Sequence, residues 1–207
     1  MNKHFYKLSK DQQKKILDSA YEVFTDTPYA KASTNTIVVN AGISKGKLFY
    51  YFKDKRTLFN HLVQKGIEYI KIHYIEQLKF DEKDFLKRYI NVSQVKKKAY
   101  EQEPYLFNFM SYIYLHEIEQ MSQSQRKIIE EYQSLARTRL KENVDKSLFR
   151  DDIDADLVMK LLVYNLDGYE RELTDKFKTI EIKNENMEPY YQEFENLVST
   201  LRKLFYK

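Results

Sequence analysis

The run Ala41-Gly42-Ile43-Ser44-Lys45-Gly46-Lys47-Leu48-Phe49-Tyr50-Tyr51-Phe52 constrains this chain more than any other stretch, because a helix stop is followed almost at once by a helix start. Ser33 or Thr34 can cap a short helix whose apolar Ile37, Val38 and Ala41 recur at helical spacing, and Gly42 supplies the positive φ that ends it. Ile43 is the apolar residue that tucks the turn inward, and Ser44 can cap the next helix by accepting from a free N–H of its first turn. Within that second helix Leu48 and Phe52 lie four apart and face inward, leaving Lys45, Lys47, Tyr50 and Tyr51 toward solvent. Two cations and two phenols on a short exposed face suit a polyanion. Gly46 costs a helix about 1 kcal/mol relative to Ala, so it marks a place where a phosphate or base edge comes close to the backbone. An ordinary helical hairpin with solvated lysines has the same local pattern, so the flanking sequence has to decide.

On the N-terminal side, Leu8 to Phe24 opens with Ser9-Lys10-Asp11-Gln12, which fits a capping box, and continues with Ile16, Leu17, Ala20, Val23 and Phe24 at helical spacing. On the C-terminal side, Lys53-Asp54-Lys55-Arg56 punctuates the chain, Asp54 is a candidate N-cap, and Leu58, Phe59, Leu62 and Val63 begin a longer helix. With these flanks in place, residues from Lys14 to Leu62 resemble the DNA-binding domain of the TetR family of bacterial transcriptional repressors. The resemblance is carried by Ile16, Leu17, Ala20 and Phe24, then Ser33, Thr34, Ile37, Val38 and Ala41 to Ser44. It continues through Gly46, Leu48, Phe49, Tyr51, Phe52, Lys55 and Leu58. It implies a helix-turn-helix, the arrangement in which a second helix reads the major groove. On that reading Ser44, Lys45, Gly46, Lys47, Tyr50 and Tyr51 meet the groove and its rim, while Ser33, Thr34, Lys55 and Arg56 hold backbone phosphates. The chain also departs from the family pattern. Phe49 stands where a phosphate-touching Tyr is usual, Tyr51 where His is common, Lys47 where Thr is common, and Tyr29-Ala30-Lys31-Ala32 replaces a Gly-containing approach to the second helix.

Charge is distributed to match. Residues 1–60 hold 11 Lys and Arg against 5 Asp and Glu, a surplus of six, although the whole chain is only +4. The basic excess therefore sits with the motif, as phosphate neutralisation requires, and binding should weaken steeply with salt.

Composition bounds the remainder. A chain of 207 residues with only 4 Gly and 3 Pro and a charged fraction of 32% reads as long helices joined by short turns. The absence of Cys excludes disulfides and thiolate zinc sites and fits a reducing cytoplasm. No signal peptide and no apolar run near 18 residues is present, so a cytoplasmic protein without a membrane span is expected. Catalytic chemistry finds little support. His73 and Glu76 share a helical face and His116 adjoins Glu117, but no third metal ligand is indicated, and no Gly-rich phosphate loop or nucleophile elbow occurs. No enzyme activity, metal or cofactor is expected.

Beyond residue 60 the helix opened by Asp54 is expected to continue to about Gln77 as the link into a larger domain. Asp81 can cap a helix to Gln102, Pro104 to Gln120 reads as an aromatic helix, and Ser122 or Ser124 starts another to about Lys146. Asp152 or Asp154 opens a helix with Leu157, Leu161, Leu162, Leu166 and Tyr169 at helical spacing, and Met187 to Tyr206 forms the last. The expected fold is all-α with about nine helices. Residues 1–53 would form a three-helix DNA-binding domain, joined by a long helix to a ligand-binding and dimerisation bundle over 54–207.

The resemblance further implies a homodimer on a palindromic operator, with the two last long helices at the interface and the middle helices around a small-molecule effector. Leu157, Leu161, Tyr164, Tyr190, Phe194, Leu197, Leu201 and Phe205 are the candidate interface residues, although such stripes serve equally as intramolecular core. Tyr105, Phe107, Phe109, Met110, Tyr112, Tyr114 and His116 are the candidate pocket lining, and 18 Tyr and 13 Phe in the chain suit a flat or lipophilic ligand. A helical protein-interaction module or ligand carrier that does not read DNA is the alternative, for which Phe49 in place of Tyr is the sequence hint.

Overall fold

A computed structural model describes residues 3–207. Nine α-helices and no β-strand occur among them: α1 Lys10–Asp26, α2 Thr34–Ala41, α3 Lys45–Phe52, α4 Lys55–His73, α5 Phe85–Gln102, α6 Pro104–His116, α7 Gln123–Lys141, α8 Ala155–Phe177 and α9 Glu188–Phe205. The all-helical architecture is the one the periodicity predicts.

Side-chain caps explain where the helices begin. Ser9 Oγ accepts from Gln12 N, Ser33 Oγ from Thr36 N and Ser44 Oγ from Lys47 N, while Asp54 and Asp154 carboxylates accept from Thr57 N and Leu157 N. Each satisfies a backbone donor that the helix leaves open, an arrangement worth about 1 kcal/mol.

Several boundaries differ from expectation. The helix opened by Asp54 stops at His73 and gives way to a 3-10 turn over Ile75–Gln77. The helix assigned to an Asp81 cap begins instead at Phe85, because Asp84 is the residue that caps Lys87 N; Arg202 Nη2 lies 2.6 Å from its carboxylate and Tyr206 Oη donates at 3.1 Å. These partners hold the Asp84 carboxyl below the usual carboxylate range against the opposing effect of burial. Helix α6 ends at His116 rather than Gln120, where Glu117 is recruited elsewhere, as described below.

Helix α7 ends at Lys141, short of Lys146, and Arg88 accounts for this end. Its side chain is fully buried, and its guanidinium donates to the main-chain carbonyls of Arg139, Leu140, Glu142 and Asn143, and to Glu82 on its own approach. The orphan carbonyls of a helix C-terminus are thereby satisfied by a cation, favourable to the helix dipole as well. Asn143, at φ 53°, turns the chain away in the left-handed conformation that Asn tolerates.

The chain divides into two compact units. The first joins the chain up to Lys71 with Tyr100–Glu130, and the second joins Ile72–Ala99 with Glu131–Lys207. In the first, Phe24 of α1, Phe59 of α4 and Phe109 of α6 form an aromatic cluster with ring centroids 5.3 to 6.4 Å apart. Helix α4 comes so near α6 that a Cβ on Gly66 would collide with Met110 Sδ. The second unit is built on Phe85, Leu86, Phe149, Val158, Leu162, Leu166, Val198 and Leu201.

His61 lies in the first unit against Phe5 and Phe52, and its Nε2 has no hydrogen-bond partner among the described residues. Burial, reinforced by Lys65, lowers its pKa from 6.5 to about 4. The unfolded chain therefore takes up a proton below pH 6.5 that the folded chain refuses, so the corresponding stability is present above pH 6.5 and lost as pH falls toward 4. Melting temperatures of the wild type and His61→Leu should diverge in their pH dependence over that window, the variant losing less. Parallel losses would exclude His61 as a source of acid sensitivity.

Candidate nucleic-acid interface

The turn between α2 and α3 forms as its residues dictate. Gly42 has φ 67°, its N–H donates to Val39 O, and the Ile43 N–H donates to Val38 O, which closes the C-terminus of α2. Ile37, Val38 and Ala41 face inward, as do Leu48 and Phe52 on α3. Four residues of α3 remain exposed on one short helix: Lys45, Gly46, Lys47 and Tyr50, the last 53% exposed. The Lys45 ammonium lies 5.9 Å from the ring centroid of Phe49. At Gly46, the nearest atom an added Cβ would meet is Ser44 Oγ at 4.0 Å, so nothing within the chain demands a glycine there. Ser33 and Ser44 are exposed as well as capping, and Thr34 is half-buried.

Tyr51 corrects the expectation that it faces solvent. It is 9% exposed, with the Phe5, Tyr50 and Phe52 rings 5.9, 5.7 and 6.5 Å away. The cause is Phe5, which lies ahead of α1. It sits in a 3-10 turn over Phe5–Lys7 and is fully buried. The only signal in the sequence was a Phe-Tyr pair within an otherwise basic segment.

Lys55 and Arg56 also have partners within the protein. The Lys55 ammonium donates to the carbonyls of Tyr29, Ala30 and Ala32, at 2.8, 3.3 and 3.1 Å, so all three of its protons have protein acceptors. Arg56 lies 3.9 Å over the Tyr29 ring and donates to the Gln120 carbonyl and side-chain oxygen. From the other side, both carboxylate oxygens of the buried Glu117 accept from Tyr29 N, at 2.9 and 3.1 Å. The stretch Tyr29–Ala32, a departure from the family pattern, is thus gripped by α4 and by the segment after α6. Since Ser33 follows it directly, this grip positions the start of α2.

Between α3 and α4 the backbone makes a γ-turn. Lys53 has φ 63° and ψ −54°, and Asp54 N donates to Phe52 O at 2.6 Å. A non-glycine residue held there stores strain on the order of 1–3 kcal/mol, at the joint that sets the direction of α3 relative to α4.

The other predicted sites are divided by the structure. Phe107, Phe109 and Met110 are buried within the first unit, Tyr112 and His116 are ring neighbours at 5.0 Å, and Tyr105 and Tyr114 are exposed. Of the interface candidates, Tyr190 and Leu201 are buried within the second unit, and Leu161, Phe194, Leu197 and Phe205 are half-buried. Leu157 and Tyr164 stand out at 47% and 59% exposure.

The geometry assigns Lys55 to holding the fold. Lys55→Met should lower stability by about 1–3 kcal/mol, since it leaves three carbonyls without their donor. Thermal melting checks this, and an unchanged melt with a shallower salt dependence of DNA binding would return Lys55 to the phosphate-contacting set.

Residues 16–62 match the family described as "Bacterial regulatory proteins, tetR family". No curated protein sequence matches the chain. Among solved structures, a TetR family transcriptional regulator from Chloroflexus aurantiacus J-10-FL aligns at TM-score 0.66 and 20% identity, over 100% of this chain and 98% of that one. CprB, a TetR family protein from S. coelicolor A3(2), aligns at 0.55 and 19% identity over 94% and 98%. A TetR-like transcriptional regulator from Rhodococcus sp. RHA1 aligns at 0.54 and 18% over 95% and 98%. At these identities the structural likeness speaks to the fold, and it extends over nearly the whole chain. The helix-turn-helix built by Ser33 to Phe52 therefore lies within a segment that matches the tetR family of bacterial regulatory proteins, on a chain whose overall fold is similar to that of solved TetR-family regulators.

Proposed function

We propose that this protein is a DNA-binding transcriptional regulator that acts as a homodimer on a palindromic operator in the cytoplasm, represses, and is released by a small lipophilic or aromatic effector. The observation that carries the reading is the exposed face of α3, where Lys45, Lys47 and Tyr50 flank a glycine that the chain's own packing does not require. Lys45, Lys47 and Tyr50 enter the major groove and its rim, and Gly46 lets a phosphate or base edge approach the backbone. Ser33, Ser44 and the N-terminal amides of α2 and α3 hold phosphates that set register. Lys55 and Arg56 act indirectly, by fixing Tyr29 and with it the start of α2.

One such helix reads few base pairs, so two copies spaced about 34–36 Å or a multiple of it are needed for a specific site. Leu157, Leu161 and Tyr164 follow one another at helical spacing on α8, with Leu157 and Tyr164 exposed and Leu161 half-buried between them, and they are the residues we assign to the partner copy. Residues 1–53 carry DNA recognition and 54–207 carry effector binding and dimerisation. An effector that displaces the α6 rings would disturb Glu117 and Gln120, which hold Tyr29 and Arg56, and so alter the presentation of α2 and α3.

Selection of bound sequences from random duplex DNA at two salt concentrations tests the reading. A two-fold-symmetric motif whose binding weakens with salt is expected, and Lys47→Ala should then weaken binding by about tenfold, roughly 1.4 kcal/mol. No enrichment at either salt would overturn the DNA role and favour a ligand carrier or protein-interaction module.

A further inference from the structure

The N-terminal turn ahead of α1 belongs to no part of the family-matched segment, which begins at residue 16. It is nonetheless held firmly. Phe5 is fully buried, with the ring centroids of Phe52, Tyr51 and His61 at 4.9, 5.9 and 6.0 Å. Lys7 N donates to His4 O, and Leu8 N to Phe5 O, both at 3.2 Å. The side-chain amide of the buried Gln13 reaches back from α1 to the Leu8 and Tyr6 carbonyls, at 2.8 and 3.5 Å. The turn is thus fastened at both its apolar residue and its backbone.

The fastening decides what lies beside α3. The His4 ring centroid is 5.2 Å from that of Tyr50, the exposed aromatic residue on the same helix as Lys45 and Lys47. In a 3-10 turn, residues three apart eclipse, so Lys7 follows His4 on the same side. Lys3, His4 and Lys7 are all exposed, and the first acidic residue of the chain is Asp11. His4 beside the proposed reading helix, with Lys3 and Lys7 exposed in the same turn and no carboxylate in that segment, matches the part of a protein–DNA interface that neutralises phosphates without reading bases.

We propose that Lys3, His4 and Lys7 form a second element of the DNA interface, contacting backbone phosphates beside the groove that α3 enters, with Phe5 as the anchor that holds them there. The proposal rests on the DNA-binding reading above. It extends the contact surface beyond the helix-turn-helix by a segment that the chain docks onto α3 from outside the matched region. These contacts add affinity and salt dependence and leave sequence preference to α3.

The test uses the full chain and the duplex pool that the wild type enriches from random DNA. The variant Lys3→Ala/His4→Ala/Lys7→Ala leaves Phe5 and Gln13 in place. A control, Lys98→Ala/Lys141→Ala, removes the same number of lysines from the second unit. Affinity is measured over a salt series, with thermal melting alongside. The expected result is a several-fold loss of affinity at low salt and a log–log salt slope shallower by about 1–2, at about 0.9 per phosphate contact. Melting and the selected motif should be unchanged, and the control should keep the wild-type slope. A triple variant with wild-type affinity and slope, while Lys47→Ala still weakens binding, would overturn the proposal and leave α3 as the reader. An equal change in slope in the control would also overturn it, since net charge alone would then be responsible. If the wild type enriches no duplex, the DNA-binding reading itself fails.

Discussion

The arrangement of the first unit depends on one aromatic contact, the meeting of Phe24, Phe59 and Phe109 from three different helices. Three large rings removed from water provide several kcal/mol of apolar burial, and the edge-to-face packing of Phe59 on Phe24 and Phe109 restricts how the helices can slide. Tyr29 extends the cluster, stacked on Phe24 at 6.0 Å and set edge-on to Phe59 at 4.9 Å. The same tyrosine offers its backbone N–H to Glu117, its carbonyl to Lys55 and its ring to Arg56. The apolar cluster that holds α1, α4 and α6 together is thus continuous with the polar grip that positions α2. Helix α3 then follows α2 through a turn with almost no freedom, because Gly42 and Ser44 determine both ends of it.

Buried charge is handled differently in the two units. In the first, Glu117 is balanced by a backbone amide, and cations gather around the Tyr29 ring. In the second, Arg88 is satisfied by carbonyls at the end of α7, and Asp84 by Arg202, Tyr206 and the first turn of α5. Apart from the local cap of Asp84 on Lys87 N, these ties join segments distant in sequence, and each would leave a desolvated group if one partner were removed, which costs far more than an exposed pair contributes. Lys45 and Lys47 of α3 stay exposed and make no such buried tie.

How much could be read from sequence follows from whether the determinant is local. Ser9, Ser33, Ser44, Asp54 and Asp154 act on amides within their own first turn, so the helix starts they set were legible. The positive φ of Gly42 was legible for the same reason. Asp84 was missed in favour of Asp81 because its selection as a cap depends on Arg202 and Tyr206, more than a hundred residues away. The charge and position of Lys55 and Arg56 were visible in the sequence, but their acceptors within the protein, the carbonyls of Tyr29 to Ala32 and Gln120, were not. Tyr51 looked exposed because helical periodicity accounts for one partner face, and Phe5 supplies a second.

By itself, the sequence determined an all-helical chain with a basic, glycine-punctuated turn-helix near its start, since caps, periodicity and charge act over a few residues. Only the tertiary structure decided which of the aromatic and basic residues remain available to a partner. The aromatic run of α6 is divided between packing and surface, Lys55 of α4 is half-buried against carbonyls while Arg56 stays exposed over the Tyr29 ring, and the N-terminal turn is brought beside Tyr50. Exposure is a property of what else is packed nearby, and those neighbours come from parts of the chain that no local pattern connects.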